Sequence, residues 1–404
     1  MKLLLLSQYF WPESFRINEL VDSLEKTGCD ITVLTGMPNY PEGIIHKGYG
    51  KLHRKPELHN GIEIYRVPLI ARGESGGLRL FLNYISFMVS ACIFAPFLLR
   101  RKKFDAILVY APSPIIQVVP AILLKKIKRI PLITWVGDLW PESLASASFI
   151  KNRFVLGMVR QVVKLIYRAN DLLLIQSRAF APSVTALAGK VPVKYFPNPG
   201  ESIFSENDTP KPSGLKFPPG FNIVFAGNIG GVQAMETVVD AAAALKHIPD
   251  VHFTLVGSGS KSSWLQKEIV SRGLTNISMP GRFSAELMPD IFRQADALLV
   301  SLVNHELYRI TVPAKLQSYL AARKPVICAL TGEGAEIVKE SGAGLVVAPE
   351  NARELVDAVI KLKNMSADER AAIGNAGYRY YENNFNSNTL SRQLITIISA
   401  IPKR

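Results

Sequence analysis

Two runs of one grammar constrain this chain more than any other feature. Short, continuously apolar stretches alternate with segments of helical period, the pattern stops, and it starts again. Continuous apolar stretches suit strands buried on both faces, and parallel neighbours need a crossover between them, so the alternation specifies βαβ units around parallel sheets. In the first run, strands are expected at Lys2 to Ser7, Asp30 to Thr35, Glu63 to Val67, Asp105 to Tyr110, Pro131 to Val136, Asp171 to Gln176 and Val193 to Phe196. Between the first two, Ile17, Leu20, Val21 and Leu24 recur at helical spacing, with Ser14 placed to cap the helix and Gly28 to end it. In the second run, strands are expected at Asn222 to Gly227, His252 to Gly257, Asn276 to Met279, Asp296 to Leu302, Pro325 to Ala329 and Gly344 to Ala348.

The break is Tyr-Phe-Pro-Asn-Pro at 195–199, followed by a Pro, Ser and Gly-rich stretch to Gly220, and it reads as an interdomain connection. A chain of 404 residues is too long for one core, since cores stop growing at about 250–300 residues. The expectation is therefore an α/β chain of two Rossmann-like, doubly wound domains, 1–199 and 200–384, with a last segment, 385–404, returning as a helix onto the first. A hydrophobic share of 48% with 20% charged residues and no low-complexity tract excludes disorder and repeat arrays. Cys29, Cys92 and Cys328 lack CxxC spacing and fit a reducing cytoplasm, and Leu3 to Leu6 reads as a buried strand rather than a leader core.

Charge separates the halves. Residues 1–200 hold 26 Lys and Arg against 13 Asp and Glu, and residues 201–404 hold 21 against 20. Nearly the whole net charge of +14 thus lies in the first half, which calls for an anionic partner, nucleic acid or an anionic membrane surface, unless it is a solvated basic face. No basic motif interleaved with aromatics is present, which argues against nucleic acid. Leu80 to Leu99 is an uncharged, mostly apolar run between Arg79 and Arg100-Arg101-Lys102-Lys103. It could span a bilayer, pack inside the domain, or pack while touching a membrane surface; Asn83, Ser86 and Ser90 on one side, and Pro96 within it, argue against the span.

Gly227-Asn228-Ile229-Gly230-Gly231 follows an expected strand and precedes a helix with Met235, Val238, Val239, Ala242 and Leu245 on one face, the place for a phosphate-cradling turn. Such turns also occur simply to pack helix on sheet. Neither GxGxxG nor GxxxxGK[ST] is present, so hydride transfer and nucleotide hydrolysis lose their usual support. No DxD is present, and the scattered histidines, with His46, His53 and His59 in a basic loop, make no metal set. A diphosphate would then be neutralised by Lys, Arg and backbone N–H groups, with no metal or cofactor.

Tyr9-Phe10-Trp11-Pro12-Glu13, Met37-Pro38-Asn39-Tyr40-Pro41, Asp138-Leu139-Trp140-Pro141-Glu142-Ser143, Gly227-Asn228-Ile229-Gly230 and Val312-Pro313-Ala314-Lys315 together resemble the GT-B fold, family 4 glycosyltransferases of bacterial surface polysaccharide synthesis. They look most like the branch that includes N-acetyl-L-fucosamine transferases of O-antigen synthesis. The resemblance implies two domains facing across a cleft and metal-independent retaining transfer. The second domain would bind a UDP-sugar, and the first a polyprenyl diphosphate-linked saccharide at the cytoplasmic face of the inner membrane.

The family pattern departs at three places. Where relatives place Arg and Lys on the donor phosphates, this chain has Asn228 and Gln233, so Lys315 is the first candidate for that charge and Arg282 the second. Where relatives carry two glutamates eight apart, it has Ile310 and Ser318, with Glu306 nearby. Where relatives have His-Asp, it has Gly137-Asp138. Asp138 is either a base for the acceptor hydroxyl or an anchor for Trp140, and Glu13 either binds sugar hydroxyls or opens a helix. Gly227, Asn228, Gly230, Gln233, Gly281, Arg282, Phe283, Pro313 and Ser318 are assigned to the donor, and Asn39, Tyr40 and Trp140 to the acceptor side. A UDP-sugar epimerase of the same fold and a non-catalytic membrane-binding module remain the alternatives.

Overall fold

The computed structural model describes residues 1–50, 55–73, 77–146, 152–201, 204 and 210–402, so His53 and part of the connection before Gly220 lie outside it. The chain divides into two units, Met1–Pro199 with Ser387–Arg404, and Gly200–Asn386.

Unit 1 is built on β1 Lys2–Leu6, β2 Asp30–Gly36, β3 Glu57–His59, β4 Ile62–Val67, β5 Ala106–Ala111, β6 Leu132–Val136, β7 Leu172–Ile175 and β8 Val193–Tyr195. Their order is β3-β4-β2-β1-β5-β6-β7-β8. All pairs are parallel except β3 with β4. The edge strand β3 was not anticipated; it is three residues long with no apolar run. The order reverses direction between β1 and β5, and ligands of such sheets gather outside the carboxyl ends at that point.

Unit 2 carries β9 Phe221–Ala226, β10 Val251–Val256, β11 Ile277–Gly281, β12 Ala297–Ser301, β13 Val326–Ala329 and β14 Gly344–Val347. The order β11-β10-β9-β12-β13-β14, all parallel, reverses between β9 and β12. Ile223 and Phe225 point to one layer of the core and Val224 to the other, which is why β9 is apolar at every position.

The helix Arg16–Lys26 buries Ile17, Leu20, Val21 and Leu24. Ser14 does not cap it: the cap position is Phe15, with no side-chain hydrogen bond. The Phe15 ring stacks on Tyr9 at 4.9 Å and the Asn18 amide donates to Glu13 O at 2.8 Å, which carries the extended chain one residue further before it coils. Gly28 ends the helix at φ 81°, a left-handed conformation that favours glycine. On the same helix, the last helix, Ser387–Ser399, lays Leu390, Leu394 and Ile398 into the unit 1 core.

The helix Gly77–Leu98 is neither purely internal nor free. Asn83, Phe87, Ser90, Ala91 and Ala95 are buried, whereas Leu78, Phe81, Val89, Ile93 and Phe97 on other faces are exposed.

Candidate functional site

Each unit presents its candidate residues at the carboxyl edge of its own sheet. In unit 2 the construction starts from the helix Ala314–Ala321, which Pro313 opens with φ −60° and ψ 128°. The buried Tyr319 hydroxyl accepts from Ala226 N at 2.9 Å and bonds Ala226 O at 3.3 Å, clamping this helix to the end of β9. Lys315 lies one turn earlier on the same face. Its Nζ therefore arrives beneath the turn after β9, 3.6 Å from the Phe225 ring centroid, and is buried with no hydrogen-bond partner among the described residues. Burial without a counter-charge lowers the Lys315 ammonium from 10.5 to about 7.

One glycine turn lies against that ammonium and a second packs on the first. Gly227 has φ 137°, and a Cβ there would meet Lys315 Nζ at 3.1 Å; Gly257, after β10, has φ 139°, and a Cβ there would meet Gly227 O at 1.8 Å. Gly257 N donates to Gly281 O at 2.8 Å, so the ends of β9, β10 and β11 are drawn together. Around them Gly227, Asn228, Gly257, Ser258, Arg282 and Phe283 line a pocket of about 290 Å³. The Arg282 side chain is exposed and Phe283 is half-buried.

Two residues assigned to the donor have their side chains engaged within the unit. Gln233 is buried, and its Oε1 accepts from Gly230 N at 2.9 Å, so it shapes the turn. Ser318 is buried and its hydroxyl is bonded to the Glu201 carboxylate at 3.3 Å. Glu306 is exposed at the start of the short helix Glu306–Arg309.

In unit 1, Glu13 lies in the loop after β1 and is buried, with Oε1 accepting from both Asn39 N and Tyr40 N at 2.8 Å. It thus anchors the loop after β2 rather than opening the helix that follows it. Burial pushes its carboxyl above the ordinary range, against the pull of those N–H groups. Asn39, assigned to the acceptor side, is engaged within the unit. It is fully buried, its amide donates to Met37 O at 3.1 Å, and its Oδ1 takes Arg72 N at 3.1 Å and Asn83 Nδ2 at 3.2 Å. Its side chain is spent on joining three segments. Tyr40 is 36% exposed, with the Arg72 guanidinium 5.2 Å from its ring centroid.

Asp138 stands just past β6, half-buried, and its Oδ2 accepts from the Trp140 indole at 3.2 Å. Burial raises its carboxyl, opposed by hydrogen bonds that include Trp140 and Ser113. Gly137 explains the missing histidine of the family motif: a Cβ there would sit 2.8 Å from Pro112 Cα and 3.1 Å from Ala111 O, both backbone atoms. Among the described residues, no group of three His, Cys, Asp or Glu is placed to hold a metal ion.

Residues 14–199 match the family described as "Glycosyl transferase 4-like domain", and residues 220–364 match "Glycosyl transferases group 1". The Escherichia coli putative colanic acid biosynthesis glycosyl transferase WcaI is 24% identical over 386 residues, covering 88% of this chain and 90% of that protein. The Streptomyces kanamyceticus alpha-D-kanosaminyltransferase is 24% identical over 142 residues, covering 35% of this chain and 36% of that one. Among solved structures, Anabaena HepE in complex with UDP superposes with a TM-score of 0.68 at 16% identity, covering 99% of this chain and 100% of that one. A glycosyltransferase from Rickettsia africae gives 0.69 at 14% identity, covering 99% and 98%. With one glycosyltransferase domain in each unit and GT-B folds among its structural neighbours, the chain is a glycosyltransferase of the group 1 type with a GT-B fold.

Proposed function

We propose that this glycosyltransferase takes a sugar from a UDP-sugar to a hydroxyl of a lipid-linked saccharide during assembly of a bacterial surface polysaccharide. The observation that carries the donor half is the unpartnered, buried Lys315 Nζ under the Gly227 turn. An ammonium in that position lacks the anion that would offset its desolvation, and a diphosphate supplies one. UDP in the HepE structure supports the choice of nucleotide, and the similarity to WcaI supports the surface-polysaccharide setting. N-acetyl-L-fucosamine is the first donor sugar to try, because the motifs resemble those of that branch.

In the reaction the bond from the anomeric carbon to the β-phosphate oxygen breaks, and the acceptor oxygen bonds to the anomeric carbon on the same face. The acceptor proton passes to the leaving diphosphate. Lys315 and the N–H groups of the glycine turn stabilise the charge on that leaving group, where electrostatic preorganisation has its largest effect. Asp138 orients Trp140 at the acceptor end of unit 1. The deciding assay incubates the protein with a panel of UDP-sugars and extracted lipid-linked saccharides and identifies products by mass. A sugar changed with no acceptor present would turn the reading to an epimerase, and no turnover with any pair would overturn it.

A further inference from the structure

Unit 1 carries an apolar surface that its own core does not use. Its crossovers β4 to β5, β5 to β6 and β6 to β7 advance in one direction along the sheet, so right-handed connections put the helices Gly77–Leu98, Val119–Lys128 and Arg153–Arg168 on one face. The first two pack together, and all three contact the short turn Ile115–Val118.

Arg153–Arg168 divides lengthwise into three stripes. Val163, Ile166 and Tyr167 face the core. Phe154, Met158, Val162 and Leu165 recur every three or four residues and are exposed by 44% to 76%. Arg153, Arg160, Lys164 and Arg168 form the third stripe, and the helix contains no Asp or Glu. Opposite its buried face, Gly77–Leu98 exposes Leu78, Phe81, Leu82, Val89, Ile93 and Phe97 along a length of about 33 Å. Leu123 and Ile127 add exposed apolar area from the helix between. A helix that serves only its own domain would place polar residues here.

The charge around the patch says what covers it. Along the chain, residues 77–169 hold 14 Lys and Arg against 3 Asp and Glu; Lys102 and Lys125 are paired with Glu63 and Asp171, and the others leave a basic excess. A second copy of this chain would bring like charge against like, whereas an anionic bilayer offers acyl chains to the stripes and phosphates to the rim. We propose that these three helices form a docking surface that lies flat on an anionic lipid bilayer. The long helix stays in plane and does not cross. Its Asn83 is fully buried, accepts from Gln8 Nε2 at 2.7 Å and donates to Ile70 O at 2.7 Å, and Phe87 beside it is fully buried too. The surface belongs to unit 1 alone and does not depend on which sugar is transferred.

The test is co-sedimentation of the full chain with vesicles of phosphatidylcholine alone or mixed with phosphatidylglycerol. Binding is expected only to the mixed vesicles, weakened by salt and released by alkaline carbonate. Arg160→Gln and Lys164→Gln should each lower the partition coefficient about fivefold. Phe154→Ser, Met158→Ser and Leu165→Ser together should lower it at least about thirtyfold. Phe154, Met158, Arg160 and Leu165 are exposed and Lys164 is half-buried beside them, so the urea midpoint should hold and separates docking from folding. Equal binding to neutral vesicles, binding indifferent to these variants, retention through carbonate as a spanning helix would show, or a stable dimer that excludes vesicles would each overturn the proposal.

Discussion

At the scale of single residues, Lys315 joins stability to binding. In the ligand-free protein its depressed value means that the unfolded chain holds more protons between about 7 and 10.5, so this residue's contribution to stability rises with pH across that window. Lys315→Met removes an unpaired buried ammonium while keeping its length. The variant is expected to melt at a higher temperature than the parent near neutral pH, yet to lose at least about tenfold in turnover, near 1.4 kcal/mol in the barrier. A lower melting temperature or unchanged kinetics would remove the residue from the site. Because a diphosphate favours the charged form, UDP binding should take up a proton above pH 7, with affinity falling by up to about tenfold per pH unit there. Calorimetry at about pH 8 in two buffers of different ionisation enthalpy reads that uptake directly, and identical heats would contradict it. Gly137→His, which restores the residue relatives carry, is expected to destabilise by about 1–3 kcal/mol in urea, since Pro112 Cα and Ala111 O cannot move aside as a flexible side chain would.

At the scale of elements, the strands buried on both faces were legible because their apolar runs are local facts of the sequence. Glu57–His59 was not, because a short edge strand pairs through its backbone and leaves no such run. The candidate site was legible as residue types: the glycine turn stood out by composition and Lys315 by its place after Pro313. What no local pattern could reveal was contact between distant segments. The approach of Lys315 to Phe225, the consumption of Asn39 by Arg72 and Asn83, and the pressure of Pro112 on Gly137 all join elements far apart in sequence. Gln233 and Ser318 were assigned to the donor on position alone, and each has a nearer partner inside its own unit. The last helix offers an element-scale check. Leu394 is fully buried in the unit 1 core, and Leu394→Ala should cost about 2–5 kcal/mol in a denaturant titration. A change below that range would show the helix to be loosely held.

At the scale of the whole molecule, the two units differ in how the chain supplies them. Gly200–Asn386 is one uninterrupted segment with its own sheet and core, so it should fold when expressed alone, melt cooperatively and gain melting temperature with UDP. A segment that stays unfolded, or is indifferent to UDP, would contradict this. Unit 1 is split: the helix that covers Ile17, Leu20 and Leu24 comes from Ser387–Ser399. A ribosome releases a chain from its amino end, so the domain begun first is finished last. While the second domain is already complete, the first still waits at the exit with an uncovered apolar face, and stop codons placed shortly before Ser387 would leave it for chaperones and proteases to find. The first domain's exposure to quality control thus lasts until Ser387–Ser399 has been made and has docked on it.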